Sequence, residues 1–126
     1  MRRWLLDAGA LIALDRNDRA MWARLSIAHR DQVRLVTHGG IVGQVWRKPP
    51  RQARLAQALR AIDIHPLGAE LGKLSGELLF ATGSCDVMDA ALVVLSADGD
   101  RIYTSDPDGL LALSATARRR VEIVKV

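Results

Sequence analysis

Short apolar runs alternate along this chain with longer stretches of helical period. Arg3-Trp4-Leu5-Leu6 stops at Asp7 and reads as a buried strand, with a short helix over 8–14 packed on it. Residues 15–18 form a turn and cap, and 18–30 an amphipathic helix with Met21, Trp22, Leu25 and Ala28 on one face. A second strand is predicted at 34–37. His38-Gly39-Gly40 reads as a turn, and 41–46 as a helix that ends before Pro49-Pro50. Helix 51–60 turns Leu55, Ala58 and Leu59 inward. A third strand at 62–67 exits at Pro66. Helix 68–80 turns Leu71, Leu74, Leu78 and Leu79 inward and stops at Thr82-Gly83-Ser84. A very apolar helix follows at 86–97, then a turn at Asp98-Gly99-Asp100 and a strand at 101–104. Asp106-Pro107 opens a helix whose body is 110–115, and an exposed Arg118-Arg119-Arg120 turn leads to a last strand at 121–126.

Strands alternating with helices predict one α/β domain over residues 1–126: a central parallel sheet of about five short strands with helices on both faces. No repeat, low-complexity tract or linker divides it. Hydrophobic residues make up 49% and charged residues 25%, enough for a packed core and too apolar for a disordered chain. Aromatics are only 4%, so that core is built from Leu, Val, Ile and Ala. The start faintly imitates a signal peptide, but Asp7 cuts its apolar run. No run is long enough to span a membrane. The lone Cys85 permits no internal disulfide and reads as a small buried thiol, which fits a reducing cytoplasm. His29, His38 and His65 lack ligand spacing, so zinc is not expected.

The net charge of +4 conceals an asymmetry. Residues 1–60 hold 12 basic and 4 acidic side chains, and residues 61–126 hold 6 and 10. Of the 18 basic residues 15 are Arg, which favours bidentate contact with phosphate or carboxylate. The densest basic cluster is Arg47, Lys48, Arg51 and Arg54, either a solvated helix face or a rim for phosphates.

The acids carry the chemistry. Asp7 ends the first strand, at the sheet edge where open parallel α/β sheets bind ligands, though it would also cap the following helix. Asp86 and Asp89 share one face in the first turn of the apolar helix. Asp86 suits capping. Asp89 continues into apolar neighbours, where an ionised carboxylate needs compensation. Asp106 and Asp108 follow a strand, in an Asp-Pro-Asp pattern that also starts helices well. Three such acids on separate elements at one edge suit a hard cation, Mg²⁺ or Mn²⁺.

These segments carry a resemblance. Leu6-Asp7-Ala8-Gly9-Ala10-Leu11-Ile12-Ala13-Leu14, Val42-Gly43-Gln44-Val45-Trp46-Arg47, Asp86-Val87-Met88-Asp89-Ala90-Ala91 and Thr104-Ser105-Asp106-Pro107-Asp108, in that order and spacing, resemble the PIN-domain ribonucleases. The chain is most similar to the VapC-type toxins of type II toxin–antitoxin pairs. The resemblance implies a PIN-like fold and a quartet of acids that binds Mg²⁺ (or Mn²⁺) and hydrolyses RNA phosphodiester bonds. It also implies a cognate VapB-type antitoxin and a homodimer. Asp7 matches the first acid, Asp86 the third by register with Asp89 one turn on, and Asp106 the fourth with Asp108 beside it. The second acid, usually Glu, falls at Gln44, which offers an oxygen without a charge. Arg47, Lys48, Arg51 and Arg54 become candidates for the RNA backbone.

Two other classes compete. A catalytically weak or inactive PIN-like domain that holds antitoxin or RNA is favoured by Gln44. A signalling receiver domain has similar length, but it needs paired acids after the first strand and an acceptor Asp at the end of the third. Here Asp7 precedes Ala8-Gly9, and the third strand ends in His65-Pro66. Gly9 likewise disfavours a DxD phosphatase.

Overall fold

In the computed structural model, which describes residues 2–126, the most apolar segments become the middle of a parallel sheet. Its strands are β1 (Arg3–Leu6), β2 (Arg34–His38), β3 (Asp63–His65), β4 (Arg101–Thr104) and β5 (Glu122–Lys125), in the order β3-β2-β1-β4-β5, each parallel to its neighbours. Leu5, Leu6 and Ile102 on the central pair are fully buried, because helices cover both faces of a parallel sheet and leave no polar side. Edge strands β3 and β5 are more exposed.

The helices are α1 (Ala8–Asp15), α2 (Arg19–Arg30), α3 (Gly39–Val45), α4 (Ala53–Leu59), α5 (Ala69–Thr82), α6 (Val87–Leu95) and α7 (Pro107–Ala117). The chain steps outward from β1 to β3, returns to β4 beside β1, and steps outward again to β5. Right-handed crossovers therefore put α1–α4 on one face and α5–α7 on the other. Packing agrees: α1 meets α2, α3 and α4, while α5, α6 and α7 pack together. The direction of winding reverses between β1 and β4, so their carboxyl ends form the crevice where such folds bind ligands. This order differs from the 2-1-3-4-5 order of receiver domains, which removes that alternative.

Every predicted strand and helix exists, and the differences have local causes. The expected turn at His38-Gly39-Gly40 is instead the start of α3, because the His38 ring caps it. A Cβ at Gly40 would lie 2.5 Å from Met88 Sδ and 2.8 Å from Leu67 Cδ2, so glycine lets α3 approach α6. The expected helix 51–60 is a single 3-10 turn at Pro49–Arg51 followed by α4, with the side chain of buried Gln52 closing the break. Helix α5 lies further from the core than its leucines suggest. Leu74 is 45% exposed and Phe80 92% exposed, and only Ser75 on that helix is fully buried. Cys85 is exposed rather than a buried thiol. Among the described residues no single helix is long and apolar enough to cross a membrane.

The amino-terminal edge of the sheet is stitched by ion pairs. Arg3 donates to Asp100 at 2.6 Å and to the Leu95 carbonyl at 2.8 Å, tying β1 to the end of α6. Arg34 pairs with Asp63 across β2 and β3, and Arg101 with Glu122 at 2.8 Å across β4 and β5. Each pair joins chain segments that the parallel ladder must hold in register.

Candidate metal centre at the carboxyl edge of the sheet

Asp7 leaves β1 at the winding reversal and is 4% exposed. It caps α1: one carboxylate oxygen accepts from Ala10 N at 2.9 Å. The other accepts from Thr104 Oγ1 at 2.5 Å and from Ser105 N at 3.2 Å. The Thr104 hydroxyl also accepts from Asp106 N at 2.9 Å, so one buried side chain at the end of β4 orders both the first acid and the turn bearing the last. Asp106 is exposed and caps α7, accepting from Gly109 N at 3.3 Å. The sequence reading missed Thr104. Its signal was a hydroxyl residue two positions before an Asp at a strand end, a common local turn pattern that by itself marks no site.

The third arm is the start of α6. Asp86 is its exposed cap and accepts from Asp89 N at 3.1 Å. Asp89, one turn along, is half-buried and caps nothing. His38, at the end of β2, positions this helix. Its Nδ1 accepts from Gly40 N at 3.1 Å and Ile41 N at 3.3 Å, so the proton sits on Nε2, which donates to the Met88 carbonyl at 2.9 Å. Burial holds the His38 pKa below its usual value, which keeps this neutral arrangement. Scattered histidines gave no ligand pattern, and His38 proves to be a brace between α3 and α6.

The charges at this edge converge on Asp89. Asp89 is pushed up to about 7, first by burial and then by the negative charges of Asp86, Asp7 and Asp106. Asp7 is also raised by burial, against hydrogen bonds from Thr104, Ala10, Ser105 and Gly9 that favour its ionised form. Among the described residues no basic group offsets either shift. Oxygen donors of uniform negative charge at one crevice fit a hard divalent cation in kind and in charge. They are coupled without being closely gathered. Among the described residues no three His, Cys, Asp or Glu side chains are arranged to hold a metal ion.

The other expected residues divide in two. Asp108 is exposed in the first turn of α7 and does not figure among the charges that raise Asp89. Gln44 is exposed on α3; its main-chain carbonyl accepts from Arg47 Nε at 3.2 Å, and among the described residues no hydrogen bond joins its side chain to the acids. Arg47, Lys48 and Arg51 lie on the segment between α3 and α4 and Arg54 in the first turn of α4, all exposed and without an ion pair among the described residues. Gln52, 5% exposed, shapes that segment. Its carbonyl oxygen accepts from Arg47 N at 2.8 Å and Lys48 N at 2.9 Å, and its amide donates to the Val45 carbonyl at 2.8 Å.

No protein-family model matches the chain, and no curated protein matches it. Among solved structures it is similar to a chain in the crystal structure of VapBC2 from Rickettsia felis bound to a DNA fragment from their promoter. The TM-score is 0.68 over 98% of both chains, at 11% identity. At that identity the likeness establishes architecture, and the chain has the PIN-like α/β fold that its segments resemble.

Proposed function

We propose that the chain is a metal-dependent endoribonuclease, the toxin of a VapBC-type pair, hydrolysing RNA phosphodiester bonds. The observation that carries this reading is Asp89. A half-buried carboxylate at the ligand-binding edge is driven toward neutrality first by its burial and then by the charges of three other acids, with no basic partner offsetting them among the described residues. Folds do not keep such a cluster for stability, because like charges beside apolar surface are unfavourable. Its cost is explained if a cation completes it.

Asp7, Asp89 and Asp106 would hold Mg²⁺ or Mn²⁺, with Asp86 and Asp108 supplementing their charge. When bound, the metal polarises the phosphate and makes water a competent nucleophile near neutral pH. The protein's own part is orientation. Thr104 fixes one oxygen of Asp7 and the turn before Asp106, while His38 braces the helix start that carries Asp89. Asp89, rather than the exposed cap Asp86, is the principal acid of α6. Arg47, Lys48, Arg51 and Arg54 would neutralise RNA phosphates. The VapBC2 likeness supports a VapB-type antitoxin as partner, and a homodimer is the expected assembly.

The test is cleavage of single-stranded RNA with Mn²⁺ or Mg²⁺. Wild type cuts, chelation stops it, and Asp7→Asn and Asp89→Asn abolish cutting. Full activity in Asp7→Asn would sink the metal site. A second reading, a binder with weak or no catalysis, is favoured by the neutral Gln44 and by the absence of a gathered ligand set among the described residues. Gln44→Glu separates the two. Raised activity means that a missing charge limits an enzyme, and RNA binding without cutting in both wild type and variant means a binder.

A further inference from the structure

We infer that the cavity between α1 and the turn from β4 to α7 is a subsite for the nucleoside flanking the cleaved phosphodiester, with Arg16 taking an adjacent phosphate. The inference rests on the ribonuclease reading above and extends it to how substrate is held. The cavity, about 470 Å³, is lined by Gly9, Ile12, Ala13, Arg16, Asp18, Ser105 and Val126. That volume lies within the roughly 300–1,000 Å³ of small-ligand pockets.

Its position follows from the acids. Gly9 is two residues beyond Asp7, and Ser105 directly precedes Asp106 and donates its N–H to Asp7. A Cβ at Gly9 would collide with Ser105 Oγ and Cβ, so glycine allows α1 to press against the β4–α7 turn. The two elements make one wall running from the carboxylates into the cavity. A strand of RNA whose phosphodiester lies at the acids therefore places a neighbouring nucleoside along this wall.

The lining chemistry selects the ligand. Ile12, 37% exposed, and Ala13 offer an apolar surface for the face of a base. Arg16 is exposed, is in no ion pair among the described residues, and supplies a cation at the far end of α1. Asp18, which caps α2 by accepting from Met21 N at 2.9 Å, adds a fixed acceptor, and Ser105 a hydroxyl. A bare phosphate would meet Asp18 as well as Arg16 and gain little. A nucleotide carries an anion, hydroxyl and amino donors, and a flat apolar face, and so matches Arg16, Asp18, Ser105 and the Ile12–Ala13 surface together. Among the described residues no aromatic side chain lines the cavity, so the base is held by packing without stacking on a ring.

The experiment uses the full chain, Mn²⁺ and a single-stranded oligonucleotide that wild type cuts at a mapped position. Abasic substitution next to the cut should raise the KM of wild type about tenfold and have little further effect in Ile12→Asp. Arg16→Ala should lower the salt dependence of binding by about one phosphate contact, a change that loss of fold would not produce. If wild type cuts RNA but both variants retain its KM, abasic penalty and salt slope, the subsite is wrong while the ribonuclease reading stands. If wild type neither binds nor cuts RNA, that reading fails and takes the subsite with it.

Discussion

The two edges of one sheet treat charge in opposite ways. At the amino edge, the Arg residues that begin β1, β2 and β4 are each paired, with Asp100, Asp63 and Glu122. At the carboxyl edge the negative charges of Asp86, Asp7 and Asp106 all act against Asp89, and among the described residues no basic group offsets them. Asp100 and Asp7 show the contrast between single residues. Both are buried, at 6% and 4% exposed, and both accept main-chain hydrogen bonds. Asp100 faces a guanidinium, whereas Asp7 faces the Thr104 hydroxyl and its charge bears on Asp89. One edge uses charge to hold segments in register, and the other keeps an excess of one sign that an external cation would neutralise. Exposed members of the amino-edge set add little, since solvent screens them, so its stabilising weight falls on Arg3–Asp100.

This comparison can be broken by experiment. The largest expected effect is at the paired edge. Arg3→Met leaves buried Asp100 without its counter-charge and should cost about 3 kcal/mol in chemical denaturation. A loss within error would mean that the amino edge is not held by charge.

At the carboxyl edge the sign reverses. Asp89→Asn should raise the melting temperature in metal-free buffer at pH 8 while abolishing cleavage. The pH dependence follows from linkage. The folded Asp89 pKa of about 7 lies above the reference 3.8, so the native state binds more protons between those values. The contribution of Asp89 to metal-free stability is therefore greatest below about pH 4, falls as pH rises toward 7, and levels off above it. Wild type should lose stability across that window and Asp89→Asn much less. Added Mg²⁺ should restore wild type at pH 8 and leave Asp89→Asn nearly unmoved. Equal pH profiles for the two proteins would show that Asp89 is not under strain.

A smaller effect belongs to Thr104. Thr104→Val removes the donor to Asp7 and the acceptor for Asp106 N, and should weaken Mn²⁺-dependent cleavage by about 10- to 100-fold, with Thr104→Ser restoring most of it. The smallest concerns Gln52→Ala, which releases Arg47 N and Lys48 N. It should loosen RNA binding several-fold while the pH profile of cleavage stays in place, and a shifted profile would mean that the clamp acts on the acids instead.

Much of this molecule could be read from residues close together in the chain. Strand and helix signals are local: an apolar run stopped by Asp7, an amphipathic period over α2, the Asp-Pro-Asp start of α7. Each element therefore formed where its own side chains favoured it, and the parallel α/β arrangement followed from their alternation. Asp7, Asp86 and Asp106 were visible because each caps a helix at a predictable place, and the structure shows all three doing so. Exposure of Leu74 and Cys85 was not visible, because it depends on how far α5 stands from the sheet, and periodicity carries no information on that distance.

The sequence by itself determined which residues could bear charge at the carboxyl edge, since strand ends and helix starts are properties of short segments. Only the tertiary structure decided how they share the work. It made Asp86 an exposed cap and Asp89 the strained, half-buried acid. It joined Asp7 to Thr104, 97 positions away, and braced Met88 with His38, 50 positions away. Burial and Coulomb coupling depend on distance in space, and those distances exist only once the sheet has brought β1, β4 and the start of α6 together.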